Sequence, residues 1–170
     1  ASLSRAASLS RAASLSRAAS LSRAASLSRA ASLSRAASLS RATSLSAAQA
    51  ALLRGRVIVA AAGAQKGKPY RHGAAGPRAF DCSGLSGYAY RAAHIRLPRT
   101  SNAQYRAARP VSRATARPGD LVFWVHGRSA YHVGVFAGAG RVWHAPKPGD
   151  RVRLAKIWSP REVRFGRIGA

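Results

Sequence analysis

A single thiol and five imidazoles carry most of the chemistry open to this chain. Cys82 follows Asp81, a residue type that caps helices, and Cys82 to Ala93 can run as a helix with Leu85, Tyr88 and Ala92 on one side. A thiol in a first helical turn meets unpaired N–H groups and the positive end of the helix dipole, which favour thiolate. The same amides could donate to an oxyanion. Ser83 and Gly84 are small, and on this reading they leave the helix start open to a substrate. Read alone, an isolated cysteine fits a buried structural residue as well.

A thiolate nucleophile needs a base. His132 and His144 flank a turn at Gly138-Ala139-Gly140, and their numbers sum to 276, the pairing sum for a three-residue connection centred near Gly138. They are expected opposite each other, or within one rung, on one sheet face. That geometry suits a base, His132, oriented by a second polar residue, His144. Two independently satisfied histidines are the other reading. His72, His94 and His126 fall in loops or at element ends. One cysteine excludes an intramolecular disulfide and a multi-cysteine zinc site, and no HExxH or CxxC pairing supports a metal at Cys82, His132 and His144. Neither a metal nor a cofactor is expected.

The elements that must position these groups can be read in outline. Leu52 to Gln65 reads as a helix rich in Ala and Val, ended by Gly67 and Pro69, and Tyr70 to Phe80 as a loop. Ser101 can cap a short helix through Arg106. Pro118-Gly119-Asp120 is a turn into a buried strand, Leu121 to Val125. His132 to Phe136 and Arg141 to Ala145 read as strands, with Val152 to Leu154 and Val163 to Ile168 completing the sheet. Helices first and an antiparallel sheet second make an α+β domain over residues 49–170.

Residues 1–48 are of another kind. Seven perfect ASLSRA copies fill the first 42 residues, and Thr43 to Ala48 is a degraded eighth. Six residues advance a helix by about 600°, so successive leucines land on three different faces and form no apolar stripe. A solvated, fluctuating helix or a disordered cationic arm is expected. The chain as a whole carries 29 basic against four acidic residues, a net +25, of which seven charges lie in the repeats. Four carboxylates cannot readily staff a two-carboxylate glycosidase, an EF-hand or a two-metal nuclease. Such a charge points to an anionic partner or surface. The longest apolar run, Val57 to Ala64, falls far short of the ~20 residues of a membrane span, so no transmembrane segment is expected. The chain lacks methionine, which suggests a processed product or fragment whose signal peptide is gone.

Six short motifs occur in order: Gly67-Lys68-Pro69-Tyr70, Phe80-Asp81-Cys82-Ser83-Gly84-Leu85, Leu97-Pro98-Arg99-Thr100-Ser101 with Gln104, Pro118-Gly119-Asp120-Leu121-Val122, His132-Val133-Gly134-Val135 and His144-Ala145-Pro146. Together they resemble the NlpC/P60 family of cell-wall cysteine peptidases over residues 50–168, with the repeats unmatched. The resemblance implies a papain-like fold. It implies Cys82 as nucleophile, His132 as base and then acid, and His144 as the orienting residue. Tyr70, Asp81, Ser83, Arg99 and Ser101 match positions that contact substrate or oxyanion, or line or brace the cleft, as Gln104 does. Asp81 also fits a plain helix cap, and Arg99 a plain ion-pair partner. His72, Ala74 and His94 depart from the family pattern at the cleft rim and a helix end.

What the resemblance implies is a secreted, wall-associated bacterial endopeptidase that cuts peptidoglycan stem peptides between D-γ-glutamate and the diamino acid. A peptidoglycan amidase and a non-catalytic polyanion or cell-wall binder are the alternatives. Anionic wall polymers are possible further partners, and nucleic acid is set aside as the native one.

Overall fold

The structure is a computed structural model that describes the backbone of residues 2–169 and the side chains of residues 16, 17 and 19–169. The chain divides into two compact units, Ala1–Ala48 and Gln49–Ala170. Helix α1 spans Ser2–Gly63, α2 Cys82–Arg91 and α3 Ser101–Ala107. Six strands follow: β1 Arg109–Val111, β2 Leu121–His126, β3 Ser129–Gly138, β4 Arg141–His144, β5 Arg153–Lys156 and β6 Val163–Arg167. They form one sheet in the order β1-β6-β2-β3-β4-β5, antiparallel at every pairing.

In the first unit the repeats are helical, and from residue 19 onward their side chains are exposed. Ser20, Ser26, Ser32 and Ser38 each donate to the carbonyl four residues back. The hydroxyls are thereby satisfied without any tertiary partner. The stretch Ala19–Gly63 is long and apolar enough, by length and composition, to cross a membrane. This qualifies the sequence expectation, which looked for unbroken apolar runs; alanine raises the average between the arginines. Each arginine at a bilayer centre would cost roughly 2.5–3.5 kcal/mol, which opposes such a placement.

In the second unit, the α1 residues Gly55, Ile58 and Ala62 recur at helical spacing and are buried, as is Gln65 just beyond the helix end. With Ala89 and Tyr90 of α2, Ile58 and Ala62 cover one sheet face, meeting Leu121, Phe123, Val125, Val133 and Val135. The other face of the same strands packs Val122, Trp124, Phe136, Val142, Val163 and Phe165. Burial on both faces is why Leu121 to Val125 reads as an unbroken apolar run. Strand β1 at the sheet edge was not expected; Arg109-Pro110-Val111 has no alternating pattern, and its extended shape comes from pairing with β6.

Three further boundaries differ from expectation. Thr100, not Ser101, caps α3, its side chain accepting the Ala103 N–H. Helix α2 ends at Arg91 rather than Ala93. The β3–β4 hairpin turns at Ala139-Gly140, both at positive φ (47° and 66°), with Gly138 facing Arg141. That is a two-residue connection, whose positive-φ residues give it a twist matching the right-handed twist of the strands it joins.

Candidate active site

Asp81 fixes where α2 begins. Its backbone is extended (φ −93°, ψ 179°) and its side chain accepts the Gly84 N–H at 2.7 Å, so helical geometry starts at Cys82. The carboxylate also accepts from the Gly73 N–H at 2.9 Å and from both arms of Arg99 at 3.1 and 2.6 Å. Burial works to raise its pKa, but the Arg99 guanidinium and the two amides outweigh that and hold it below the usual carboxylate range. Arg99 donates to Ser83 Oγ as well, at 3.0 Å. Gln104, fully buried, donates from Nε2 to the carbonyls of Ser83 and Pro98 at 3.0 and 2.9 Å and accepts from Ser86 Oγ at 2.7 Å. The segment from Pro98 to Gln104 thus clamps the first turn of α2.

The five residues singled out beside the three chemical groups fall into two sets. Tyr70, Asp81 and Ser83 surround Cys82; the Tyr70 phenol is pushed up by burial and then by the charges of Cys82 and Asp81. Arg99 is committed to Asp81 and Ser83, and Ser101 Oγ donates to the Ala130 carbonyl at 2.9 Å, tying α3 to β3 two residues before His132. Gly84 does not leave room for substrate. A Cβ there would lie 2.1 Å from the Ala74 carbonyl oxygen, so the glycine admits the preceding loop rather than a ligand.

Cys82 is half-buried, and the backbone N–H groups of Val133, Ser83 and Cys82 itself act on its sulfur. Burial is the largest influence and pushes the thiol up; the Asp81 charge adds to it, and the three amides only partly offset both. This corrects the expectation that the helix start would favour thiolate: desolvation exceeds the dipole here. The Val133 amide is available for a register reason. Val135 faces Trp143, so continuing the ladder would set Ala145 opposite Val133, but β4 ends at His144. Cys82 meets the sheet at that gap, beside the residue that follows His132.

His132 and His144 lie on the sheet face that carries Trp124, opposite the one that carries Val133 and Val135. Trp124 is the direct cross-strand partner of His132. The same ladder sets His144 opposite Gly134, two residues from His132 on one face, so the two are diagonal neighbours rather than opposite. Gly134 makes the diagonal close. A Cβ on it would come within 2.5 Å of Val142 and 3.2 Å of the His144 Cβ. The rings meet edge to face, with His132 Nε2 and His144 Nδ1 3.0 Å apart. Burial pushes His132 down to about 4; burial and the neighbouring His132 and Arg153 push His144 to about 3. Both rings are therefore neutral near pH 7.

Trp158 was not singled out from the sequence. Its ring stacks on Trp124 at 4.0 Å and stands 5.8 Å from His132 and 5.0 Å from His144. Its loop is held by the Trp124 indole N–H, which donates to the Trp158 carbonyl at 3.0 Å. An aromatic in the loop between β5 and β6 carries no periodic signal. Only the fold brings it over the histidines.

Residues 67–164 match the NlpC/P60 family. A probable endopeptidase p60 of Listeria seeligeri is 42% identical over 115 residues, which are 65% of this chain and 22% of that protein. The murein DD-endopeptidase MepH of Escherichia coli strain K12 is 46% identical over 99 residues, 55% of this chain and 36% of that protein. The chain thus spans from about a fifth to under half the length of such relatives. Among solved structures, RipD of Mycobacterium tuberculosis, described as a non-catalytic NlpC/p60 domain protein adapted to peptidoglycan binding, aligns with a TM-score of 0.58 and 27% identity. That alignment covers 68% of this chain and 97% of RipD. The α+β fold, the ordered motifs and these matches agree, and the chain belongs to the NlpC/P60 family.

Proposed function

We propose that residues 49–170 form the catalytic domain of a cysteine peptidase acting on peptidoglycan stem peptides, and that residues 1–48 are a cationic arm. The single observation that carries the catalytic part is the His132–His144 contact at 3.0 Å, with the amide of Val133, the residue after His132, acting on the only thiol. If His132 Nε2–H donates to His144 Nδ1, the His132 Nδ1 lone pair is left to take the Cys82 proton. Thiol and imidazole both start neutral, so proton transfer accompanies attack rather than preceding it. Sulfur adds to the scissile carbonyl, and the amides at the start of α2 face the developing oxyanion. The His132 imidazolium then protonates the leaving amine, and water, deprotonated by His132, clears the thioester. Asp81, Ser83 and Tyr70 are placed to hold the acyl half of the substrate. Nothing in this scheme calls for a metal or cofactor.

The bond proposed is that between D-γ-glutamate and the diamino acid. The DD-endopeptidase name of the E. coli relative makes the cross-link bond the competing site. A wall-associated location outside the cell follows from such a substrate. RipD shows that a member of this family can bind without cutting, so turnover must be measured. Mass spectrometry of digested wall fragments tests all of this. Products ending in D-glutamate with a new diamino acid amine support the reading; cross-link cleavage moves the bond; products unchanged from those of the Cys82→Ala protein overturn the enzyme.

A further inference from the structure

The repeats carry seven arginines and no acidic residue. All four carboxylates of the chain are taken up in the second unit: Asp81 by Arg99, Asp120 by Arg167, Asp150 by Arg153, and Glu162 by the Tyr131 hydroxyl. Arg17, Arg23, Arg29, Arg35 and Arg41 stand exposed along α1. The anion that neutralises them must come from outside the chain.

Their spacing decides which anion can do so. Six residues rise about 9 Å and turn about 240°, and a face recurs only after 18 residues, about 27 Å. The arginines therefore fall in three rows, Arg23 with Arg41, Arg17 with Arg35, and Arg29 on the third. Followed in chain order, they trace a left-handed spiral. A flat or rigid partner meets one row. Duplex DNA is stiff over this length. A lipid surface finds no apolar face, since each leucine follows an arginine by four residues, as Leu21 follows Arg17, and brings it along. A flexible single-chain polyanion can follow the spiral and meet every charge, and the arginine fork suits phosphate oxygens. The repeats hold no aromatic residue, so the bases of a single-stranded nucleic acid would have nothing to stack on. We infer that the repeat helix is a docking surface for a flexible polyphosphodiester without bases, a wall polymer of repeating polyol phosphates, which winds around it. This rests on the reading of residues 1–48 as a cationic arm.

The test compares the full chain with a variant in which all seven repeat arginines become glutamine, so that the charges of the second unit are common to both. Binding to poly(glycerol phosphate), duplex DNA, single-stranded DNA and phosphatidylglycerol vesicles is measured across a salt series. On poly(glycerol phosphate), the slope of log Kd against log salt should be steeper in wild type by about 5, from seven charges at about 0.7 each. On duplex DNA the difference should not exceed about 3, because the fullest row holds three of the seven. A second variant adds one alanine to each repeat. Seven residues fall only about 20° short of two turns, which gathers the arginines on one side. Its duplex and vesicle binding should rise at least tenfold, with poly(glycerol phosphate) binding within about threefold of wild type. Equal slope differences on polymer and duplex, or no gain by the alanine variant, overturn the winding partner and leave the arm cationic. Tighter binding of single-stranded DNA than of poly(glycerol phosphate) at equal phosphate puts a nucleic acid in its place and overturns the proposal. No slope difference on any of the four overturns the arm itself. Turnover of a soluble stem peptide, read separately, keeps the peptidase reading apart from all of these.

Discussion

Helix α1 passes through two stretches with opposite relations to solvent. Leu21, Leu27, Leu33, Leu39 and Leu45 are each 70–72% exposed, whereas Ile58 and Ala62 are 3% and 0% exposed. Backbone and hydrogen-bond pattern are the same, so helicity does not decide the matter. Spacing does. A hexad turns each leucine about 240° from the last, and no face collects two of them within five turns. Gly55, Ile58 and Ala62 repeat at three and four residues and form the stripe that a sheet can cover. The repeats are helical by local propensity alone, and the second stretch is helical and anchored.

The comparison can be strained most severely at the buried histidines. His132→Ala should lower kcat by roughly 10³-fold or more, because base and leaving-group acid vanish together. His144→Gln should be milder, since an amide can still accept from His132 Nε2. Steady-state turnover of a stem peptide measures both. Equal, small losses would show that the buried pair has no more consequence than an exposed leucine.

A direct test lies within α1. Ile58→Ala removes a buried side chain and should cost about 2–5 kcal/mol, while Leu27→Ala should stay within about 0.5 kcal/mol. Trp124, Trp143 and Trp158 all lie in the second unit, so urea unfolding followed by tryptophan fluorescence reads the anchored part. A large loss from Leu27→Ala would mean that the repeats are buried against something.

Desolvation sharpens the contrast further. Protonated His132 cannot act as a base, so activity is lost as pH falls through its pKa. With that value pushed to about 4, kcat/KM should hold well below pH 6.5 and fall only near pH 4. Trp158→Ala admits water to both rings and should move the acid limb upward, toward 6.5. An unmoved limb would take Trp158 out of the account.

The smallest effect concerns the arm. Removing residues 1–42 should leave turnover of soluble stem peptides within about twofold, since the repeats contain no cysteine, histidine or acidic residue. Attachment to intact anionic walls should weaken at low salt, where charges act beyond the ~10 Å screening length of 0.1 M salt. A salt series on both measurements checks it. Lost peptide turnover would end the division at residue 48.

Local chemistry was legible in the residues themselves. The Asp81 cap, the lone thiol behind it, the exposed hexads and a hairpin carrying two histidines on one face all depend on neighbours in sequence, where periodicity and capping act. The motifs extended this to the family. What the sequence alone could not supply was whatever depends on contact between distant segments. The diagonal His132–His144 approach needs Gly134 and a two-residue turn, and the Val133 amide is available only because β4 stops at His144. Trp158 reaches the histidines only when the loop after β5 folds back over the sheet. Above all, the sign of the Cys82 shift was set by burial, a property of the assembled core, which no helix N-terminus read in isolation contains.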